Sequence, residues 1–83
     1  MPLVAPSPSQ CIPGAQLRHY KGGRYTVVGT CLIEATLQTG VLYKPLQGDM
    51  QDTVWMRPMA EFQQMVATDH GTVPRFSLIA EAG

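Results

Sequence analysis

The chain has 83 residues, with six Lys and Arg balanced by six Asp and Glu, so its formal net charge is zero. That length admits one domain at most. The charge balance excludes a dedicated binder of long duplex nucleic acid, which carries a clear basic excess, and no apolar run is long enough for a signal sequence or a membrane span.

Residues 1–14 read as a flexible, proline-rich N-terminal arm. Prolines at 2, 6, 8 and 13 remove backbone donors and push their predecessors out of helix. The single domain is expected over residues 15–79, with 80–83 as a frayed tail. A core of this size supplies only roughly 3–5 kcal/mol, so most apolar side chains are expected inside. Met50, Met56, Met59 and Met65 are read as core filler.

The first structural signal is a hairpin. Residues 17–20 and 25–28 flank Lys21-Gly22-Gly23-Arg24, and the glycine pair supplies the positive φ angles of a tight two-residue turn. The second strand is expected over 24–35, rich in Thr, Val, Ile and Tyr. Gly29 inside it marks a bulge or bend. Thr39-Gly40 is expected as a turn. Residues 41–46 form a third strand, with Pro45 marking an edge or a strand end, and 47–52 a polar loop. A fourth strand follows at 53–57. Pro58 then opens a helical turn over 59–64, in which Met59, Phe62 and Met65 or Val66 face inward. After a turn at Asp69-His70-Gly71, residues 73–79 form the last strand.

About five short strands and one helical turn cannot build a sandwich. A strongly bent, nearly closed sheet removes exposed edges with few residues. The expectation is a mainly β, SH3-like barrel.

The motifs His19-Tyr20-Lys21-Gly22, Tyr25-x-Val27, Val41-Leu42-Tyr43, Leu46-x-Gly48-Asp49, Trp55-x-Arg57-Pro58, Phe62 and Pro74-Arg75-Phe76 together resemble a small bacterial family, domain of unknown function 1653 (DUF1653). The match covers residues 14–76. The resemblance implies an SH3-like barrel and a bacterial source, and no established activity. One departure stands out. The family pattern has a Glu-Thr pair, with a second Glu three positions after the first, where this chain has Ala35-Thr36 and Gln38. Glu34 is acidic but one step away, and a one-residue shift on a strand points to the other face. Any acid-base role of those carboxylates does not carry over.

Seven residues are candidates for a ligand-binding surface: His19, Tyr20, Lys21, Tyr43, Trp55, Arg57 and Arg75. Arg57 and Arg75 each adjoin a proline, and a guanidinium on a restricted backbone suits bidentate contact with carboxylate or phosphate. The structural alternative pairs them with Glu61 or Glu34. Tyr20, Tyr25, Tyr43 and Trp55 suit the lining of a groove or stacking on a base; equally, such aromatics carry the core of a small domain. Alternation puts Trp55 and Arg57 on one face. His19 has no nucleophile or orienting acid near it in sequence, so no catalytic residue is assigned. Neither His19 nor His70 has a second ligand at metal spacing, and no cofactor is expected. Cys11 and Cys31 form no framework and are read as reduced thiols of a cytoplasmic protein.

The expected function is a non-catalytic binding module for a peptide, nucleotide or single-stranded nucleic acid. The alternatives are a small enzyme or accessory subunit acting on a phosphorylated metabolite, with His19 as base, and an oligomerising protein. In the last, Val41-Leu42 and the Pro45 edge would pair across a two-fold as a homodimer.

Overall fold

The computed structural model describes residues 4–82. In chain order the strands are β1 Gln16–His19, β2 Arg24–Leu32, β3 Thr39–Pro45, β4 Trp55–Pro58, β5 Met65–Thr68, β6 Gly71–Pro74 and β7 Phe76–Ala80. Two short 3-10 turns, Pro8–Gln10 and Met59–Gln63, complete the described structure. The chain is mainly β, in two antiparallel sheets. The larger has the order β4-β3-β2-β1-β7, and β5 pairs with β6 alone. Its end strands, β4 and β7, are not paired with each other among the described residues, so the expected closure is not present as strand pairing.

Alternation sets the inner face. Leu17, Val27, Val41 and Tyr43 are buried along β1, β2 and β3, as period-2 strands with one packed face require. Phe62 from the second 3-10 turn and Phe76 from β7 stack at 4.4 Å between ring centroids. Tyr43 meets both edge-on, at 5.5 and 5.9 Å. This aromatic cluster supports the candidate surface.

The hairpin forms where expected but by a different turn. His19 C=O accepts from Gly22 N–H at 2.8 Å, and His19 N–H donates to Gly23 C=O at 2.7 Å. Gly22 has φ 106°; Gly23 does not have a positive φ. The loop is therefore three residues, Tyr20-Lys21-Gly22, with the positive φ at its last position. Gly23 is needed for space, because a Cβ there would stand 2.9 Å from the Tyr25 hydroxyl. In β2 the register passes from Val27↔Tyr43 to Gly29↔Leu42, which leaves Val28 as the bulge residue beside Gly29.

Several expectations need correction. The turn after β2 lies at 33–38, not at Thr39-Gly40. Ile33 C=O accepts from Leu37 N–H at 2.6 Å, and Ile33 N–H donates to Gln38 C=O at 2.8 Å. Thr39 and Gly40 belong to β3. The departures from the family pattern at Ala35, Thr36 and Gln38 therefore sit in a loop, where alternation between strand faces does not apply. Val41 and Leu42 are not on an edge, because β3 is paired with both β2 and β4. The expected last strand is two, β6 and β7, divided at Arg75. Met65 opens β5 and does not extend a helix. Met50, Met56 and Met65 are exposed, and Met59 alone of the four packs against the core.

The segment before residue 15 also differs from an outlying arm. Within it, Pro6 and Cys11 are fully buried. Val4 C=O accepts from Leu78 N–H at 3.1 Å, and Pro6 C=O from Gln63 Nε2 at 3.3 Å. The buried part of the chain thus begins well before residue 15. At the other end, Ala80 closes β7, and Glu81 accepts from Gln10 Nε2 at 3.0 Å. Residues 1–3 and 83 of the expected arm and tail lie outside the described residues.

Candidate functional site

The seven candidates divide into three groups. Tyr43 is a core residue, 6% exposed. Its hydroxyl accepts from Arg57 Nε at 3.3 Å. Arg57 also donates from Nη1 to Glu61 Oε1 at 2.7 Å, and its guanidinium carbon lies 5.7 Å from the Phe76 ring centroid. The Tyr43 hydroxyl pushes the guanidinium pKa further up, Glu61 adds to this, and burial opposes it. Arg57 is therefore held by the structural partner considered for it. Trp55 stands apart in β4, opposite Tyr43 in the register and hence on the same face, but exposed.

The third group is His19, Tyr20, Lys21 and Arg75. His19 ends β1 opposite Phe76. Its ring meets Phe76 edge-on at 5.0 Å and Tyr20 at 4.6 Å. Lys21 N–H donates to His19 Nδ1 at 3.2 Å, which selects the neutral tautomer with the proton on Nε2. The imidazole pKa is pushed below its ordinary 6.5, first by burial and then by Arg57, Arg75 and Lys21. Three cations act on this ring, of which Arg57 is itself paired with Glu61. Lys21 Nζ lies 5.8 Å from the Tyr20 ring centroid.

Arg75 belongs to the same corner through the backbone, since its C=O accepts from Tyr20 N–H at 2.9 Å. Its N–H donates to Gln64 C=O at 2.9 Å, and its Nε to Gln64 Oε1 at 3.2 Å. Among the described residues the only ion pair within 4.0 Å is Arg57–Glu61, so neither Lys21 nor Arg75 is paired with a carboxylate there. The corner is basic, half-exposed and floored by aromatic rings. It can accept an anionic group with a flat or apolar part beside it.

The surface has two hollows, the smaller of them at this corner. A small one of about 130 Å³ is lined by Arg18, His19, Tyr20, Val73 and Ser77. A wider, open one of about 450 Å³ lies between Pro8, Gln38, Thr39, Met59, Ala60 and Gln63 and has no charged lining residue. Ser77, which no sequence motif marks, lies opposite Arg18 in the β1–β7 register. Among the described residues no cluster of three or more His, Cys, Asp or Glu is placed to hold a metal. Both cysteines are free thiols.

No curated protein matches the chain. A crystallised protein of the DUF1653 family from Bordetella bronchiseptica is similar at 28% identity, with a TM-score of 0.71 over 86% of this chain and 90% of that one. The family described as "Protein of unknown function (DUF1653)" matches residues 15–78. That span includes every motif residue of the basic corner and most of the described fold, and the chain belongs to the DUF1653 family.

Proposed function

We propose that this protein is a non-catalytic binding module whose corner of His19, Tyr20, Lys21 and Arg75 takes the anionic group of a nucleotide or of single-stranded nucleic acid. The observation that carries this reading is the electrostatic setting of His19. Its ring lies under the influence of Arg75 and Lys21, which have no carboxylate within 4.0 Å among the described residues, and of Arg57, which is paired with Glu61. An anion relieves that repulsion, and a neutral imidazole with its proton on Nε2 is a donor to it. Tyr20, and Trp55 on the Tyr43 face, offer rings for stacking.

The SH3-like barrel is part of this reading. The strand order β4-β3-β2-β1-β7, the long bulged β2 and the 3-10 turn that follows β4 support it. We place the module in the cytoplasm, where the two unpaired thiols stay reduced. No helix among the described residues is long and apolar enough to cross a membrane. The enzyme alternative asks His19 to act as base, and the nitrogen left free by Lys21 N–H carries the proton in the neutral form. The oligomeric alternative loses the β3 edge it relied on.

The test is an amide-shift titration of labelled protein with nucleotides, short single-stranded oligonucleotides and short acidic peptides. Salt-sensitive shifts of His19–Lys21 and Arg75 with the first two support the proposal. Shifts there with peptides alone reassign the ligand, and no shifts with any of them overturn the reading.

A further inference from the structure

Arg18 and Arg24 stand directly opposite each other in the β1–β2 register. Like charges so placed repel, and neither has a carboxylate within 4.0 Å among the described residues. On the other side of β1, Arg18 is opposite Ser77 of β7. Paired residues share a face of a sheet, so Arg24, Arg18 and Ser77 form one row across β2, β1 and β7. Leu17 and His19 flank Arg18 in β1 and alternate to the other face, with Leu17 fully buried in the core.

Ser77 is the unusual member. It is 4% exposed, the one buried polar residue among those described. Its hydroxyl enters no side-chain hydrogen bond among the described residues and is not sealed from the small hollow that it lines with Arg18, His19, Tyr20 and Val73. The hydroxyl faces a hollow of about 130 Å³ that Arg18 also lines, with a second arginine one strand away.

We propose that this row is a second anion site, adjoining the corner at Arg75 through His19 and Tyr20, which line the same hollow, and that it takes a phosphate-type oxyanion. Arg18 supplies the paired N–H groups, Ser77 donates its hydroxyl from the floor, and Arg24 adds charge from the next strand. A tetrahedral oxyanion suits a row of donors that converge from a sheet face and a recessed hydroxyl. It also reduces the Arg18–Arg24 repulsion, which solvent only screens because both residues are exposed. The phosphate can belong to a free phosphomonoester or to a nucleic-acid backbone.

The experiment is a titration of the whole chain with inorganic phosphate, a phosphomonoester and a short oligothymidylate, followed by amide shifts and thermal melting. Saturable shifts at Arg18, Arg24 and Ser77 are expected. Affinity should fall roughly tenfold or more in R18Q, the scale of one lost charge-assisted contact, and by a smaller factor in S77A and R24Q. R18Q is a surface change, so the variant keeps the fold, and phosphate should raise the melting temperature of the unsubstituted chain but not of R18Q. A preference for oligothymidylate over the monoester at these same amides identifies the backbone as the source, and the reverse identifies a free phosphomonoester. Two results overturn the proposal: no saturable response at these three residues, or binding that R75Q weakens and R18Q does not. The second result assigns the phosphate to the corner instead and leaves the binding-module reading standing.

Discussion

Arg57 Nη1 lies 2.7 Å from Glu61 Oε1, and this ion pair ties β4 to the 3-10 turn that follows it. Both side chains are about one-third exposed, so solvent screens the pair, and E61Q should cost about 0.2–1 kcal/mol. R57Q should cost more, about 1–2 kcal/mol, because it also removes the hydrogen bond to the core Tyr43 hydroxyl and the contact with the Phe76 ring. Urea unfolding of both variants reads the difference. Equal losses would mean that Arg57 acts through Glu61 alone.

Leu37 has φ 60°, the one positive φ at a non-glycine residue among those described. It closes the loop between β2 and β3 through its N–H bond to Ile33 C=O. A left-handed backbone costs an ordinary residue roughly 1–2 kcal/mol, and the Leu37 side chain is 71% exposed, so little packing offsets the strain. L37G should therefore stabilise the protein by about 1 kcal/mol. A rise in the urea midpoint at constant slope is the expected result. A fall would show that the exposed leucine makes contacts that outweigh its strain.

Gly40 is buried in β3 between two sulfur atoms. A Cβ at this position would stand 2.8 Å from Cys31 Sγ and 2.9 Å from Met56 Sδ. Met56 is exposed and can swing away, so most of the conflict falls on the shorter Cys31. G40A should destabilise by about 1–3 kcal/mol, in the range of overpacking. C31A should recover part of the loss in the double variant, and a double-mutant cycle measures the coupling. Strict additivity would mean that the sheet itself shifts to admit the methyl group.

Features set by short-range backbone chemistry were legible in the sequence. The position of the hairpin, the bulge beside Gly29, the 3-10 turn opened by Pro58 and the turn before Gly71 are examples. The 33–38 turn was not, because its positive φ falls on Leu37 and no glycine marks it. The break at Arg75 was hidden for a different reason: β6 and β7 have the same β-forming composition, and only their partners, β5 and β1, distinguish them. Burial of Pro6 and Cys11 depends on contacts with residues far along the chain. At the candidate site, the motif pointed to His19, Tyr20 and Lys21. The commitment of Arg57 to Glu61, the pairing of Arg75 with Gln64 and the open hydroxyl of Ser77 are tertiary facts.

His19 makes the pH dependence directional. Burial, Arg57, Arg75 and Lys21 all lower its pKa from 6.5, so the folded protein holds this proton less tightly than the unfolded chain. Stability therefore rises with pH where the unfolded state alone is protonated. The contribution is complete above pH 6.5 and is lost as pH falls from there through the lowered folded pKa. Urea midpoints measured across that interval should climb with pH, and H19Q should flatten the His19 part of the climb. An anion in the corner acts in the opposite sense: it favours the imidazolium, raises the His19 pKa and moves the same interval upward. An NMR titration of the His19 ring, with and without bound nucleotide, reads both effects on one nucleus. A pKa below 6.5 in the free protein that rises on binding is the expected pair of results. A pKa that ignores saturating nucleotide would remove His19 from the binding surface.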